Sequence, residues 1–161
     1  TRIDAVAAAV KNDQGVDFSY RLGVMVETPR AALRAEDIAS HAAFLSFGTN
    51  DLTQMAYGLS RDDAGRFMSS YVKLGVYPED PFHTLDIEGV GELLKIGAQR
   101  GRQARPDIVL SLCGEHGGSP EAIEFCRDAG FDYVSCSPFR VPVARLAAAQ
   151  IALAARLGKQ T

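Results

Sequence analysis

The stretch Ala43-Phe44-Leu45-Ser46-Phe47-Gly48-Thr49-Asn50-Asp51 passes from a short apolar run directly into small and polar residues. An apolar run of this length is typical of a strand buried in a parallel sheet. In α/β folds, the loops at the carboxyl ends of such strands carry the chemistry. We therefore expect a functional loop at residues 48–51.

Segments typical of strands and of helices alternate on both sides of this stretch. Apolar periodicity predicts an amphipathic helix at residues 3–12, whose apolar face we expect to dock on the sheet. Residues 52–77 have weak periodicity and predict a long excursion with short helices. Four strands are predicted, at residues 21–26, 43–47, 107–112 and 131–136. The helices that follow are predicted from Pro29 to about His41, from a cap at Asp86 to a stop at Gly101 and Pro106, at residues 121–129, and from Pro142 onwards.

This alternation implies a parallel sheet with right-handed crossovers. A closed (β/α)8 barrel needs eight such units and typically takes about 250 residues, whereas this chain has 161. We predict an α/β fold in which residues 1–161 form a single partial domain, half of a (β/α)8 TIM-type barrel.

Composition disfavours two classes of partner. The 17 lysines and arginines are outnumbered by 20 acidic residues, and the net charge of −3 provides no basic surface for nucleic acid. The sequence contains no uninterrupted apolar stretch of about 20 residues, which is the length needed to cross a bilayer. We expect neither a nucleic-acid nor a membrane partner.

The three cysteines form no CxxC pair, which favours a reducing, cytoplasmic setting.

Two carboxylates, Glu27 and Asp51, each stand just past the end of a predicted strand. Consecutive strands of a parallel sheet are usually neighbours about 5 Å apart, so the two side chains could converge on one cation. Mg²⁺ is commonly held by one or two carboxylates, while substrate oxygens and waters complete its octahedron. The alternative is that each acid is a loop residue that caps a helix.

Gly48, Thr49 and Asn50 offer close backbone approach together with hydroxyl, amide and main-chain donors. Such donors suit a carboxylate or a phosphate. An ordinary Asx-type turn would use the same residues without any ligand. Both interpretations remain open from the residues alone.

Cys113 occupies the corresponding place on the third strand and is followed by Gly114-Glu115-His116-Gly117-Gly118. A thiol near a helix N-terminus and an imidazole has surroundings that can activate it as a nucleophile or a proton donor. The alternative is a buried, inert cysteine. We favour that packing role for Cys126 and Cys136.

Five motifs, spread over nearly the whole chain, closely resemble the pyruvate, phosphate dikinases of the PEP-utilising enzyme family. They are VETPRAA at residues 26–32, SFGTNDLTQM at 46–55, SRDDAGRF at 60–67, CGEHGG at 113–118 and SCSPFRVP at 135–142. The GTNDL and CGE segments resemble the wider family, whereas EHGG and SRDDAG resemble the dikinases in particular. The resemblance implies the C-terminal half of a (β/α)8 barrel that binds phosphoenolpyruvate (PEP) and pyruvate.

Carried over residue by residue, the resemblance implies that Glu27 and Asp51 ligate Mg²⁺. It also implies that these two acids contact the substrate together with the three residues that precede the second acid, which are Gly48, Thr49 and Asn50.

Cys113 is implied to be the acid/base that exchanges a proton with the methyl carbon of pyruvate. The implied reaction is ATP + pyruvate + phosphate ⇌ AMP + PEP + diphosphate. The implied partners are pyruvate or PEP and the phosphohistidine and nucleotide-binding domains of a parent enzyme, which is expected to bind ATP and to be a homodimer. Since none of the three histidines here lies in the family's phosphohistidine motif, we expect the chain alone to be inactive.

Three other interpretations stay open. PEP synthase and enzyme I of the sugar phosphotransferase system resemble this sequence less closely. A metal-dependent aldolase or lyase on a similar barrel could use the same acids and thiol. Half a barrel would also leave open strand edges, which favours an assembly module without catalysis.

Overall fold

The structure is a computed structural model that describes residues 1–157. Within them, four β-strands alternate with α-helices. The strands are β1 (Val24–Val26), β2 (Phe44–Gly48), β3 (Val109–Cys113) and β4 (Tyr133–Val134). The helices are α1 (Arg2–Gln14), α2 (Pro29–Leu33), α3 (Ala35–Ala39), α4 (Thr49–Tyr57), α5 (Arg61–Ala64), α6 (Met68–Lys73), α7 (Val90–Ala104), α8 (Pro120–Asp128) and α9 (Val141–Leu157).

The strands pair in parallel and in chain order, β1-β2-β3-β4. Consecutive strands of a (β/α)8 barrel have the same order, so the predicted α/β fold of parallel βα units is confirmed. Within residues 1–157 the sheet stays open and does not close into a barrel. Its edges are β1 and β4, where the side chains of Met25 and Tyr133 are nearly half exposed.

The core lies between the sheet and α7. The central strands β2 and β3 contribute the fully buried side chains of Leu45, Phe47, Leu110 and Leu112, each of which stabilises the fold by about 1.5–3 kcal/mol. Helix α7 packs on α2 and α3, and a Cβ added to its Gly97 would lie 2.6 Å from the ring of Phe47. Tight packing therefore holds two of the three strands whose carboxyl ends carry the predicted site.

Helix α1 departs from the prediction. Local signals form it, because Thr1 caps its start and Gly15 ends it in the left-handed region at φ 62°. In the described part of the chain it buries no residue, and Ile3 is 56% exposed. The prediction that its apolar face docks on the sheet is therefore wrong for residues 1–157. Polar contacts hold it instead, such as the one that the Tyr20 hydroxyl donates to Asp4 at 2.6 Å.

Two predicted helices also differ from the structure in their interior. The helix expected from Pro29 to His41 is split into α2 and α3, because the backbone leaves helical geometry at Arg34 (φ −112°, ψ 22°). Helix α7 continues past Gly101, the first of the two predicted stop residues, and ends at Ala104, shortly before the second, Pro106. Gly101 is buried, and a Cβ there would lie 3.0 Å from Leu45, so this glycine serves packing rather than helix termination.

Other features agree more closely with expectation. Asp86 lies three residues before Gly89, the N-cap of α7, and its carboxylate accepts from the main-chain N–H groups of Gly89 (3.0 Å) and Val90 (3.3 Å) at the helix start. The excursion between β2 and α7 contains the short helices α5 and α6. Strands β1 and β4 are shorter than the predicted apolar runs, since each has a single neighbouring strand in the sheet.

The structure contains no loop at residues 48–51, where the sequence predicted the functional loop. Strand β2 ends at Gly48, and α4 begins at the next residue, Thr49. Helix α4 buries Thr49, Leu52 and Thr53, which share one face of a helix by their spacing. Burial of this face favours helical backbone from the end of the sheet onwards. The predicted loop and the alternative of an Asx-type turn are therefore both wrong.

Two general features complete the description. None of the helices in residues 1–157 is long and apolar enough to span a bilayer. All three cysteines are free thiols. Cys126 is buried in the core, as predicted, and Cys136 is half-buried.

Candidate active site

Three strand ends bring the predicted residues to one edge of the sheet. In the sheet register, Val26 pairs with Phe47, and Gly48 pairs with Cys113. Glu27, the residue after β1, therefore lies beside Gly48. A Cβ added to Gly48 would lie 3.0 Å from Glu27 Cβ and 3.2 Å from its Oε2. The strand ends converge as predicted, and glycine at position 48 leaves room for the carboxylate.

The first turn of α4 supplies main-chain donors at this edge. It consists of Thr49, Asn50 and Asp51. The first N–H groups of a helix have no acceptor within it, and the helix dipole makes that end attractive to anions. The capping residue, Gly48, has no side chain to occupy those donors. The arrangement suits a carboxylate or a phosphate.

Hydrogen bonds join the start of α4 to the end of β3. The Thr49 hydroxyl, which is fully buried, lies 3.1 Å from the main-chain oxygen of Cys113. Asn50 Oδ1 accepts from the main-chain N–H of Glu115 at 3.3 Å. Gly114, with a φ of 118°, permits both contacts, because a Cβ there would lie 2.5 Å from Thr49 Oγ1. The two elements can approach this closely only with glycine at position 114.

The Cys113 thiol lies close to both neighbouring strands. Its Sγ is 3.4 Å from the main-chain oxygen of Phe47, 3.5 Å from the Ser46 hydroxyl and 3.5 Å from Met25 Sδ. The Phe47 carbonyl can accept from the thiol, and the Ser46 hydroxyl can donate to the thiolate. Both protonation states therefore have a partner, as an acid/base requires. Sequence reasoning missed Ser46, whose signal was a lone polar residue within an apolar strand.

The hydrogen bonds of His116 lead to the start of α4 rather than to the thiol. His116 is fully buried in the 3₁₀ turn Glu115–Gly118. Its Nδ1 is 2.8 Å from Thr49 Oγ1, and its Nε2 is 3.0 Å from the main-chain oxygen of Pro81. Burial lowers the pKa of His116 below its ordinary value. Sequence reasoning placed this imidazole near Cys113 but missed its contact with Thr49.

Glu27 and Asp51, the two predicted metal ligands, both carry carboxylate oxygens, which hard cations prefer. Glu27 is half-buried, whereas Asp51 is exposed and its Oδ1 accepts from Gln54 Nε2 at 3.2 Å. The alternative that Glu27 caps a helix is wrong, because the Thr28 hydroxyl caps α2. In residues 1–157 no group of three or more His, Cys, Asp or Glu side chains could hold a metal. Two carboxylates nevertheless fit Mg²⁺ when substrate oxygens and waters supply its other ligands.

Comparison with known proteins assigns this chain to a family. Residues 1–153 match the PEP-binding domain of PEP-utilising enzymes. The chain belongs to the PEP-utilising enzyme family. It is 57% identical over 155 residues to "Pyruvate, phosphate dikinase" of Rhizobium meliloti (strain 1021), 58% over 148 residues to that of Clostridium symbiosum, and 56% over 151 residues to "Pyruvate, phosphate dikinase 1, chloroplastic" of Oryza sativa subsp. japonica.

The alignments with these three relatives cover 96%, 92% and 94% of this chain. They cover only 17%, 17% and 16% of the respective relatives. The chain therefore spans a small part of the length of the curated relatives it matches.

A further set of polar contacts connects the segment between β2 and α7 to the candidate site. Arg61 of α5 forms an ion pair with Glu115 at 3.1 Å, and its main-chain N–H donates to Gln54 Oε1 at 2.7 Å. Gln54 in turn bonds Asp51. The ion pair is largely exposed, so it stabilises by no more than about 1 kcal/mol. Sequence reasoning missed Gln54, although its spacing of three from Asp51 predicts contact on a helix.

Proposed function

We propose that this chain carries the Mg²⁺-dependent pyruvate/PEP site of a pyruvate, phosphate dikinase. In the parent enzyme the site would serve the reaction ATP + pyruvate + phosphate ⇌ AMP + PEP + diphosphate. The observation that supports this most directly is the meeting of Glu27, the start of α4 and Cys113 at adjoining strand ends. The names of the relatives favour the dikinase over PEP synthase and enzyme I.

The start of α4 binds the anionic groups of the substrate in this proposal. The main-chain N–H groups of Thr49, Asn50 and Asp51 can donate to carboxylate or phosphate oxygens, in line with the preference of helix N-termini for anions. Asn50 Oδ1 is engaged by Glu115, which leaves the side-chain amide N–H groups as donors. Gly48 allows the substrate to approach the backbone, and Glu27 lies beside it.

Glu27 and Asp51 hold Mg²⁺ in this proposal. When bound, the ion supplies Lewis-acid stabilisation of the negative charge that develops on the substrate oxygen during enolate formation. Asp51 stands in the first turn of α4, where the helix dipole also favours negative charge.

Cys113 is the acid/base of the proposed reaction. Its thiolate takes a proton from the methyl carbon of pyruvate, so a C–H bond breaks, an S–H bond forms and the electron pair moves into the enolate. The enolate oxygen then attacks the phosphorus of a phosphohistidine on another domain, and the P–N bond breaks. The Ser46 hydroxyl can stabilise the thiolate before the transfer, and the Phe47 carbonyl can accept from the thiol afterwards.

The proposed reaction also requires other parts of the parent enzyme. Phosphohistidine and nucleotide-binding domains would lie outside the chain, and ATP would bind there. The open sheet edges β1 and β4 favour association with further protein, including a second copy in a homodimer. Free cysteines are compatible with a reducing compartment such as the cytoplasm.

The test compares Cys113→Ala with wild type in the full-length enzyme. We expect PEP formation from pyruvate to fall by at least about 100-fold, the lower range for loss of an acid/base. Phosphorylation of the enzyme by ATP and phosphate should continue, because it does not use this site. Pyruvate turnover at the wild-type rate would remove Cys113 from the mechanism.

A further inference from the structure

We propose that His116 is a positioning residue for the pyruvate site, which holds the Thr49 hydroxyl and the end of β3 in place. The inference rests on the proposed function, since it concerns the same site. It adds a residue whose side chain would act through Thr49 and not on the substrate.

One imidazole ring connects three separate parts of the chain. His116 lies in the turn after β3, its Nδ1 bonds Thr49 at the start of α4, and its Nε2 bonds Pro81 in the excursion. Thr49 Oγ1 also lies 3.1 Å from the main-chain oxygen of Cys113. A shift of the ring would therefore move the anion-binding turn and the strand that carries the thiol.

The protonation of His116 determines which groups can accept the hydroxyl proton of Thr49. The Pro81 carbonyl can only accept, so Nε2 of His116 carries the hydrogen. Burial lowers the pKa of His116, which leaves the ring neutral near pH 7 and makes Nδ1 an acceptor. The single hydroxyl proton of Thr49 then faces two internal acceptors, Nδ1 at 2.8 Å and the Cys113 carbonyl at 3.1 Å.

Thr49 therefore has a narrower role than the sequence suggested. Its hydroxyl proton is retained inside the protein, so it does not serve as a donor to a substrate carboxylate or phosphate. Thr49 would contribute to substrate binding through its main-chain N–H at the start of α4. The side chain would fix where that N–H group stands.

The surroundings of the ring leave little room for adjustment. A Cβ on Gly114 would lie 2.5 Å from Thr49 Oγ1, and one on Gly117 would overlap the main-chain oxygen of Ser135. His116 itself is fully buried. Because both ring nitrogens already have protein partners, His116 has no free nitrogen for proton transfer with a substrate. The geometry therefore supports a positioning role.

Two variants in the full-length enzyme separate the two ring contacts. In His116→Asn the side-chain amide can reach the position of Nδ1 and keep the contact with Thr49, whereas in His116→Gln it can reach the position of Nε2 and keep the contact with Pro81. We expect His116→Gln to lower kcat for PEP formation by on the order of 100-fold, the effect of misplacing a reacting group by about 1 Å. His116→Asn should remain within about fivefold of wild type. Equal losses in both variants, or wild-type turnover in His116→Gln, would overturn the proposal.

Thr49 variants keep the proposal testable even if the His116 variants fold poorly. Thr49→Val removes the hydroxyl at nearly constant volume and should lose activity as His116→Gln does, whereas Thr49→Ser should retain most of it. Combining Thr49→Val with His116→Gln should cost no more than the worse single change, because both changes break the same contact between Thr49 Oγ1 and His116 Nδ1. Additive losses would mean that the hydroxyl acts independently of His116, which contradicts the inference.

Two controls separate this inference from the proposed function. Phosphorylation by ATP and phosphate should be unchanged in every variant, which shows that the rest of the enzyme is intact. The rate at which iodoacetamide alkylates Cys113 reports on the end of β3 without any turnover, and we expect it to change in His116→Gln but not in His116→Asn. Absence of pyruvate turnover in the wild-type enzyme would refute the proposed function alone. An identical alkylation rate in all three proteins would refute the positioning role alone.

Discussion

At the scale of single residues, the site depends on positions where a side chain is missing. Gly48 leaves space for Glu27, and Gly114 leaves space for Thr49. Glu27 can lie beside Gly48, and Thr49 beside Gly114, only because these two positions lack a Cβ. Substitutions that add one methyl group or remove one charge therefore test the site most sharply.

Gly114→Ala should disable the site. A Cβ would lie 2.5 Å from Thr49 Oγ1, and the φ of 118° is unfavourable for any residue with a side chain. We expect turnover with pyruvate to fall by on the order of 100-fold, measured by steady-state assay of the full-length enzyme. Gly65→Ala is the matched control, because among the described residues a Cβ there meets open space. Wild-type turnover in Gly114→Ala would contradict the described contact.

Asp51→Asn should weaken the binding of Mg²⁺ together with an enolate mimic such as oxalate. The substitution keeps an oxygen that can accept from Gln54, so the lost negative charge is the main change. We expect the affinity for oxalate in the presence of Mg²⁺ to fall by about 10- to 100-fold, as measured by calorimetry. Asp62→Asn removes an exposed acid from α5 and should have no effect. Unchanged affinity in Asp51→Asn would exclude it as a ligand.

At the scale of elements, the sequence predicted the type of each element better than the junctions between them. Apolar runs identify β2 and β3 because a buried strand must be apolar on both faces. The turn expected after β2 is helix instead, because Leu52 and Thr53 pack inward and continue α4 back to Gly48. Local residue preferences at positions 49–51 do not contain that packing information. The contact between His116 and Pro81 was unpredictable for a similar reason, since it spans two loops.

Gly97→Ala should loosen the packing of α7 on β2. The added Cβ would lie 2.6 Å from the ring of Phe47, and overpacking of this kind costs about 1–3 kcal/mol. We expect faster hydrogen exchange in β2, measured by mass spectrometry on the full-length enzyme. Phe47→Leu should compensate in part, so that the double variant loses less than the sum of the two single variants. Strict additivity would show that the glycine and the ring do not share this space.

At the scale of the whole molecule, half of a barrel-type sheet holds a well-packed core while its edges stay open. The α/β class, the parallel sheet and the number of βα units followed from alternation alone, because crossover connections leave few other arrangements. The exposed α1 could not be predicted, since its apolar spacing is the same as that of a docked helix. Amphipathic spacing identifies a face that can be buried but not the partner that buries it.

Thiol labelling should distinguish the core from the site. Burial raises the pKa of Cys126 to about 12, so at pH 8 only about one thiol in ten thousand is ionised. We expect iodoacetamide to label Cys113 in the native protein and to label Cys126 only after denaturation, as resolved by peptide mass spectrometry. Equal labelling rates for the two cysteines would contradict the packing of α8.

The raised pKa of Cys126 also predicts how the stability of the protein depends on pH in the alkaline range. An unfolded cysteine ionises near pH 8.5, whereas folded Cys126 does so near 12. Between these values the folded state binds more protons, so stability should decrease as pH rises through this range. Cys126→Ala should remove that part of the decrease, as measured by denaturant unfolding at several pH values. An unchanged slope in the variant would assign the loss to other groups.

The agreement between strand order and chain order bears on how the protein is made. As synthesis proceeds from the N-terminus, each new strand from β2 to β4 leaves the ribosome when its neighbour in the sheet is already available. The long segment between β2 and β3 delays only one of these pairings. Closing a longer loop adds little entropic cost. The sheet can therefore grow strand by strand on a template that earlier parts of the chain provide.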